Sequence, residues 1–279
     1  MPFKERDHRK MGDNLPEYAN PPVNEVICGI TFKSLGGFLA PHIGQFWETV
    51  RGTFPNCQEH AALQPVLEAF GPAALRVEAW FEVPSIPRVW FLTNDETRLI
   101  QLQRDRFLYN WKKVNPEDQY PRFPIVFAEF EKVLTGFEAF LNENDLGAVE
   151  PTQFELTYIN HIPKGEGWDG IHEVGNVFAD FSWRDEEVRF LPPPEGINWH
   201  TTFAVPDKSC RLHVQIQHAT RVSDQREIII FNLTARGIGT SAATDAMKEW
   251  FTRAREWIVR GFADLTGDEV QRTIWGRKQ

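Results

Sequence analysis

LIQLQRDRFLYNW, running from Leu99 to Trp111, decides how the rest of the chain is read. Gln101 and Gln103 flank Leu102, the polar break Arg104-Asp105-Arg106 follows, and then Phe107, Tyr109 and Trp111 alternate with Leu108, Asn110 and Lys112. A period of two on both sides of a short polar break marks a β-hairpin with one apolar face. The pattern returns later in the chain. Gln215-Ile216-Gln217 is followed, after a longer loop, by Ile230-Phe231-Asn232-Leu233.

Working outward from the first hairpin, Val23 to Phe32 (VNEVICGITF) reads as a buried strand after Asn20-Pro21-Pro22. Leu39, Ile43, Phe46, Trp47 and Val50 fall on one helical face, and Pro55 and Asn56 end that helix. Arg76 to Val83 and Arg88 to Thr93 supply two more strands ahead of the hairpin. Pro124 then opens a long helix whose Phe127, Phe130, Leu134, Phe137 and Leu141 keep helical spacing. The second hairpin has matching neighbours. Glu155 to Ile162 (ELTYINHI) takes the place of the first strand, and Ile171, Val174, Phe178 and Phe181 make a short helix. Glu187 to Leu191 and Trp199 to Val205 read as strands. Met247, Trp250, Phe251, Ala254, Trp257, Ile258 and Phe262 stripe a closing helix, capped by Ser241 or Thr244. Thr266 to Glu269 has the pattern of a capping box opening a last short helix with Val270, Ile274 and Trp275.

The expected fold is therefore α+β, with two tandem β-α-β4-α units sharing one curved antiparallel sheet and long helices on one face. Residues 1–20 are expected to be a mobile N-terminal tail, 21–147 the first unit, and 148–279 the second unit with an extra C-terminal helix. This internal duplication is similar to the saddle of TATA-binding-protein-like architectures. It is a likeness of topology, and topology does not carry function.

Composition narrows the partners. The 279 residues include 30 Lys and Arg against 39 Asp and Glu, a formal charge of −9, so the overall field repels phosphate backbones and argues against nucleic acid. Cys28, Cys57 and Cys210 are odd in number and form no CxxC pair, which fits a reducing, cytoplasmic setting better than a disulfide framework. No run has the length of a membrane span, and Met1 to Gly12 is charged rather than signal-like, so no membrane partner is expected.

Several stretches together resemble one family. They are LPEYANPPVNEVICGITF (Leu15 to Phe32), LIQLQRDRFLYNW, YPRFP (Tyr120 to Pro124), YINHI (Tyr158 to Ile162) and the terminal WGR (Trp275 to Arg277). The likeness is to a patchily distributed prokaryotic family of uncharacterised proteins of about this length, and it spans nearly the whole chain. No activity is established for that family, so it transfers no functional residue. Its patchy distribution implies an accessory role beside toxin–antitoxin or antiviral defence genes.

Candidate sites can be weighed by chemistry. Gly237-Ile238-Gly239 with Ala242 matches a GxGxxA form, but no strand follows to complete a dinucleotide-binding βαβ unit. His161, His200, His213 and His218 lie in or beside strands. His161 and Glu155 share a strand face about 20 Å apart and cannot hold one ion unaided. Cys28 and Cys210 sit in apolar strands, no GxSxG elbow occurs, and Glu186-Glu187 and Asp268-Glu269 are explained by solvent and helix dipole. No catalytic residue, metal or cofactor is assigned. The amides are more suggestive: Gln101 and Gln103, with His213, Gln215 and Gln217, belong on the open face of the sheet, opposite the helices. Any half-solvated sheet is polar outside, yet this floor can also hydrogen-bond a polypeptide, with Trp80 and Trp90 as anchors. The sequence thus points to a non-enzymatic protein-binding or regulatory protein. The alternative is a small-molecule binder or hydrolase with a pocket between sheet and helices near His161 and His213.

Overall fold

The structure is a computed structural model, and it describes residues 14–63, 87–183, 189–207, 209–239 and 244–278. Pairing in the interior is set by the apolar run VNEVICGITF. It forms β1 (Val23–Phe32), flanked on one side by β5 (Arg106–Lys112) and on the other by β6 (Pro151–Pro163), both antiparallel. From β5 the sheet continues through β4 (Arg98–Gln103) and β3 (Arg88–Leu92) to β2 (Asn56–His60). From β6 it continues through β9 (Glu227–Ile238) and β8 (Arg211–Thr220) to β7 (Asn198–Ala204). Among the described residues the result is one open, curved, antiparallel sheet of nine strands.

Alternation decides which side of this sheet is covered. Val26, Cys28 and Ile30 of β1, Phe107 and Tyr109 of β5, Phe154 and Leu156 of β6, and Phe231 and Leu233 of β9 all belong to one continuous core. That core is closed by α1 (Ala40–Val50), α2 (Phe123–Glu143) and α4 (Thr244–Leu265), with the small α3 (Val174–Val177) and α5 (Asp268–Thr273) beside it. The helices present stripes of period 3.6: Phe123, Phe127, Phe130, Leu134, Phe137 and Leu141 from α2, and Phe251, Ala254, Ile258 and Phe262 from α4. Phe251 ties the two long helices to the sheet. Its ring centroid lies 5.1 Å from Phe127, 5.4 Å from Phe130 and 5.8 Å from Phe154. Contacts of this kind add edge and offset attraction to the area that the rings bury.

Some local expectations are corrected. After α1 the chain enters β2 at Asn56, a strand that the Pro55-Asn56 helix stop did not announce. The strand expected at Arg76 to Val83 lies outside the described residues. So do Glu187 and Val188, and Arg189 to Leu191 belong to no strand. The short helix at Ile171 to Phe181 amounts to a 3-10 turn over Ile171–Glu173 followed by the four-residue α3. α5 starts after Gly267, which takes the N-cap in place of Thr266, and the Thr266 hydroxyl donates back to Phe262 O at 2.7 Å. Within the expected tail, the described residues 14–20 are tied down. Tyr18 is buried, bridges to Arg277, and donates its hydroxyl to Gln271 Oε1 at 2.9 Å. Among the described residues no helix is long and apolar enough to cross a membrane.

Truncating Phe251 to alanine removes the ring that joins α2, α4 and β6, and is expected to cost about 3–5 kcal/mol. Urea unfolding measures this. A loss below about 1 kcal/mol would mean the helix layer does not depend on that junction.

Candidate partner-binding face and edge

The face opposite the helices carries the polar half of each strand. Row by row, Trp90, Gln101, Leu108, Gly29, Glu155, Arg236 and Arg211 stand in register from β3 to β8. A neighbouring row holds Ile27, Thr157, Thr234, His213 and Thr202. Gly29 is where a side chain has no room, since a Cβ there would sit 2.3 Å from Leu108 Cδ2, and its absence lets Leu108 lie across β1. Arg236 and Glu155 close an ion pair of 2.7 Å on this face.

The expected amides all face this way, but the two ends of the floor differ. Gln101 and Gln103 are only 5% and 8% exposed. Arg88 Nη1 donates to Gln101 Oε1 at 2.9 Å, Gln101 Nε2 donates to Asn110 Oδ1 at 2.9 Å, and Asn110 Nδ2 donates to Glu25 Oε1 at 2.6 Å. Burial pushes the Glu25 carboxyl up from its ordinary value, and the Asn110 bond pulls against that shift. Gln103 clamps the backbone of Leu63: Leu63 N–H donates to Oε1 at 3.0 Å, and Nε2 donates to Leu63 O at 3.2 Å. These amides are spent inside the chain. Trp90 is half-buried, with His60 stacked on it at 3.8 Å and the Arg88 guanidinium 5.3 Å from its ring centre. Trp80 lies outside the described residues.

At the other end the floor stays accessible. His213, Gln215 and Gln217 are half-exposed on β8, and they face Thr202, His200 and Asn198 of β7, which are exposed. The His200 and His213 rings stack at 6.1 Å, and Thr202 Oγ1 lies 3.2 Å from His213 Nδ1. β7 ends the sheet. Its Ile197-side and Val205-side bonds to β8 (His218 N–H to Ile197 O at 2.8 Å, Val205 N–H to Cys210 O at 3.2 Å) fix which residues face inward. By the antiparallel alternation, Asn198, His200, Thr202 and Ala204 direct their N–H and C=O groups to the free side. Edge strands are ordinarily blunted by charge or proline, whereas NWHTTFA has neither. Phe190, fully exposed, and Leu191 precede the strand, and Phe203 within it is 41% exposed.

The remaining candidates resolve more simply. Gly237 lies in β9 where a Cβ would meet Ser209 O at 2.1 Å, so backbone packing against β8's entry accounts for this glycine. Thr240 to Ala243 lie outside the described residues. Among the described residues no three His, Cys, Asp or Glu converge as metal ligands. His161 and His213 are on the open face and do not line the space between sheet and helices; the cavity found there is bordered by Tyr158 and Asn160. The β7 edge was missed in the sequence, although an uncharged seven-residue run between Pro192-Pro193-Pro194 and Pro206 was a signal for it. Compared with known proteins, the chain matches no family model, no curated protein and no solved structure. The functional reading therefore rests on geometry.

One histidine on the face gives a pH prediction. Burial, helped by the Arg221 charge, lowers His161 from 6.5 to about 4. A folded value below the unfolded one means the unfolded chain takes the proton first. The stabilisation is whole above about 6.5 and is lost as pH falls toward 4. Denaturation at pH 7 and at pH 4.5 should show a smaller acid loss in His161→Gln than in the native chain, and equal losses would contradict it.

Proposed function

We propose that this protein is a non-enzymatic binding or regulatory protein that takes an extended segment of a partner polypeptide along the free side of β7. The observation that carries this reading is the uncharged, proline-free edge of β7, whose outward backbone groups have no partner among the described residues. Strand addition to such an edge supplies affinity through main-chain hydrogen bonds, and alternate side chains supply selectivity. Here one set would meet His200, Thr202 and Gln215, while the other would meet Phe203 on the opposite side of the strand.

A saddle of two tandem β-α-β4-α units also belongs to this proposal. It is supported by the strand order, which runs β1-β5-β4-β3-β2 outward on one side and β6-β9-β8-β7 on the other. On this reading the two ends have diverged: one has committed its glutamines internally, and the other has kept its floor open. The family likeness and its implied defence or toxin–antitoxin setting point to products of neighbouring genes as the first partners to try.

The test uses a purified candidate partner and calorimetry. Thr202→Pro and His200→Pro each remove an outward N–H without touching a bond to β8, and each is expected to weaken binding at least about tenfold, roughly 1.4 kcal/mol. Unchanged affinity in both variants would sink the edge reading. Turnover of a small molecule that is lost in His161→Ala or His213→Ala would replace it with the enzymatic alternative.

A further inference from the structure

A cavity of about 350 Å³ opens on the other side of the sheet, where the N-terminal segment, the start of α2 and the middle of α4 converge. That volume falls at the lower end of the range of small-molecule sites, roughly 300–1,000 Å³. Its walls are mostly apolar and aromatic, with Phe123, Ile258 and Phe262 among them. Polar groups stand among them. The hydroxyls of Tyr120 and Tyr158 meet at 2.9 Å, and Tyr158 is buried. Burial pushes Tyr120 up to about 12 and Tyr158 well above its ordinary value, so both stay protonated at physiological pH, and with one hydroxyl donating to the other the pair keeps one O–H to offer a ligand.

The charges set the ligand class. In a chain of formal charge −9, this cavity is lined by Arg122, Arg255 and Lys278 against one carboxylate, Glu17. Glu17 is already paired with Lys278 at 3.2 Å on the exposed rim. Among the described residues two guanidiniums are left without a carboxylate. Arg122 donates one N–H to Tyr18 O at 3.1 Å and lies 5.8 Å from the Tyr120 ring. It adopts φ 75°, ψ 151°, a region otherwise nearly reserved for glycine. Arg255 lies over Phe123 at 5.4 Å and has no hydrogen bond or ion pair among the described residues. A half-buried guanidinium with nothing to neutralise it, beside hydroxyl donors and aromatic walls, matches the fork geometry that carboxylates accept.

A phosphate fits less well. Sites at helix starts hold phosphate through free backbone amides. In the first turn of α2, Pro124 has no N–H, and Ile125 and Val126 donate back to Arg122 O at 3.2 and 3.3 Å. We propose that this cavity is a binding site for a small aromatic monocarboxylate, its acid group held by Arg255 and the Tyr120–Tyr158 pair and its ring enclosed by Phe123 and Phe262. The site lies on the opposite side of the sheet from the proposed partner face and stands independently of that reading.

Calorimetry on the full chain with phenylacetate and indole-3-acetate tests it, with phenylacetamide and phenyl phosphate as comparisons. One saturable site for at least one acid is expected, with phenylacetamide at least tenfold weaker. Arg255→Gln should weaken the acid at least tenfold and shift the melting temperature little, since Arg255 loses only its contact over Phe123 and no hydrogen bond or ion pair among the described residues. Val259→Phe, which narrows the cavity from α4, should do the same. No binding by either acid, equal binding of acid and amide, tighter binding of phenyl phosphate, or full affinity in Arg255→Gln would each overturn the proposal.

Discussion

Everything on the two faces depends on the pairing of β1 with β6. That ladder, from Val23 opposite Asn160 to Phe32 opposite Pro151, joins the strands built around the first hairpin to those built around the second. Because side chains alternate, it also fixes one parity across the strands, so that the main apolar set, with Val26, Cys28, Phe107, Phe154 and Phe231, falls on the side where α2 and α4 lie. A slip of one residue at this seam would turn Val26, Cys28 and Ile30 outward. Phe251 then locks the layer, reaching both α2 and β6 from α4.

The same parity makes two chemically different places on one molecule. On the helix side, the start of α2 and the middle of α4 leave a gap over β6 that the Tyr18 segment borders but does not fill. On the open side, polar side chains are brought into rows, and their fate depends on what lies next to them. Gln103 meets the Leu63 backbone and is consumed, whereas Gln215 and Gln217 sit beside the sheet's last strand and keep their capacity. An edge strand at that position extends the floor into a backbone template.

Periodicity made the sheet and its faces legible. Period two around Gln101 and Gln215 placed the hairpins, and period 3.6 in Phe127 to Leu141 and Met247 to Phe262 placed the long helices. What escaped depends on tertiary partners. NCQEH has no apolar alternation to announce β2, which forms because β3 offers a paired edge. The Thr266 hydroxyl donates into the preceding helix turn, and Gly267 takes the cap position that the Thr266 to Glu269 pattern suggested for the threonine. The open-face direction of the amides could be read from their spacing, but their occupancy could not: the bonds that bury Gln101 run through Arg88 and Asn110 to Glu25, which stands 85 residues from Asn110. Arg255 was hidden inside an apolar stripe, between Ala254 and Ile258, and its lack of a partner shows only when α2 is packed beside it.

The account stands on β7 being an unsatisfied edge, and amide hydrogen exchange of the free protein reads that directly. Trp199, Thr201 and Phe203, whose N–H groups face β8, should exchange slowly, while His200, Thr202 and Ala204 should exchange at rates close to those of open chain. Slow exchange at all six would mean the edge is already covered, and would contradict the proposed mode of binding.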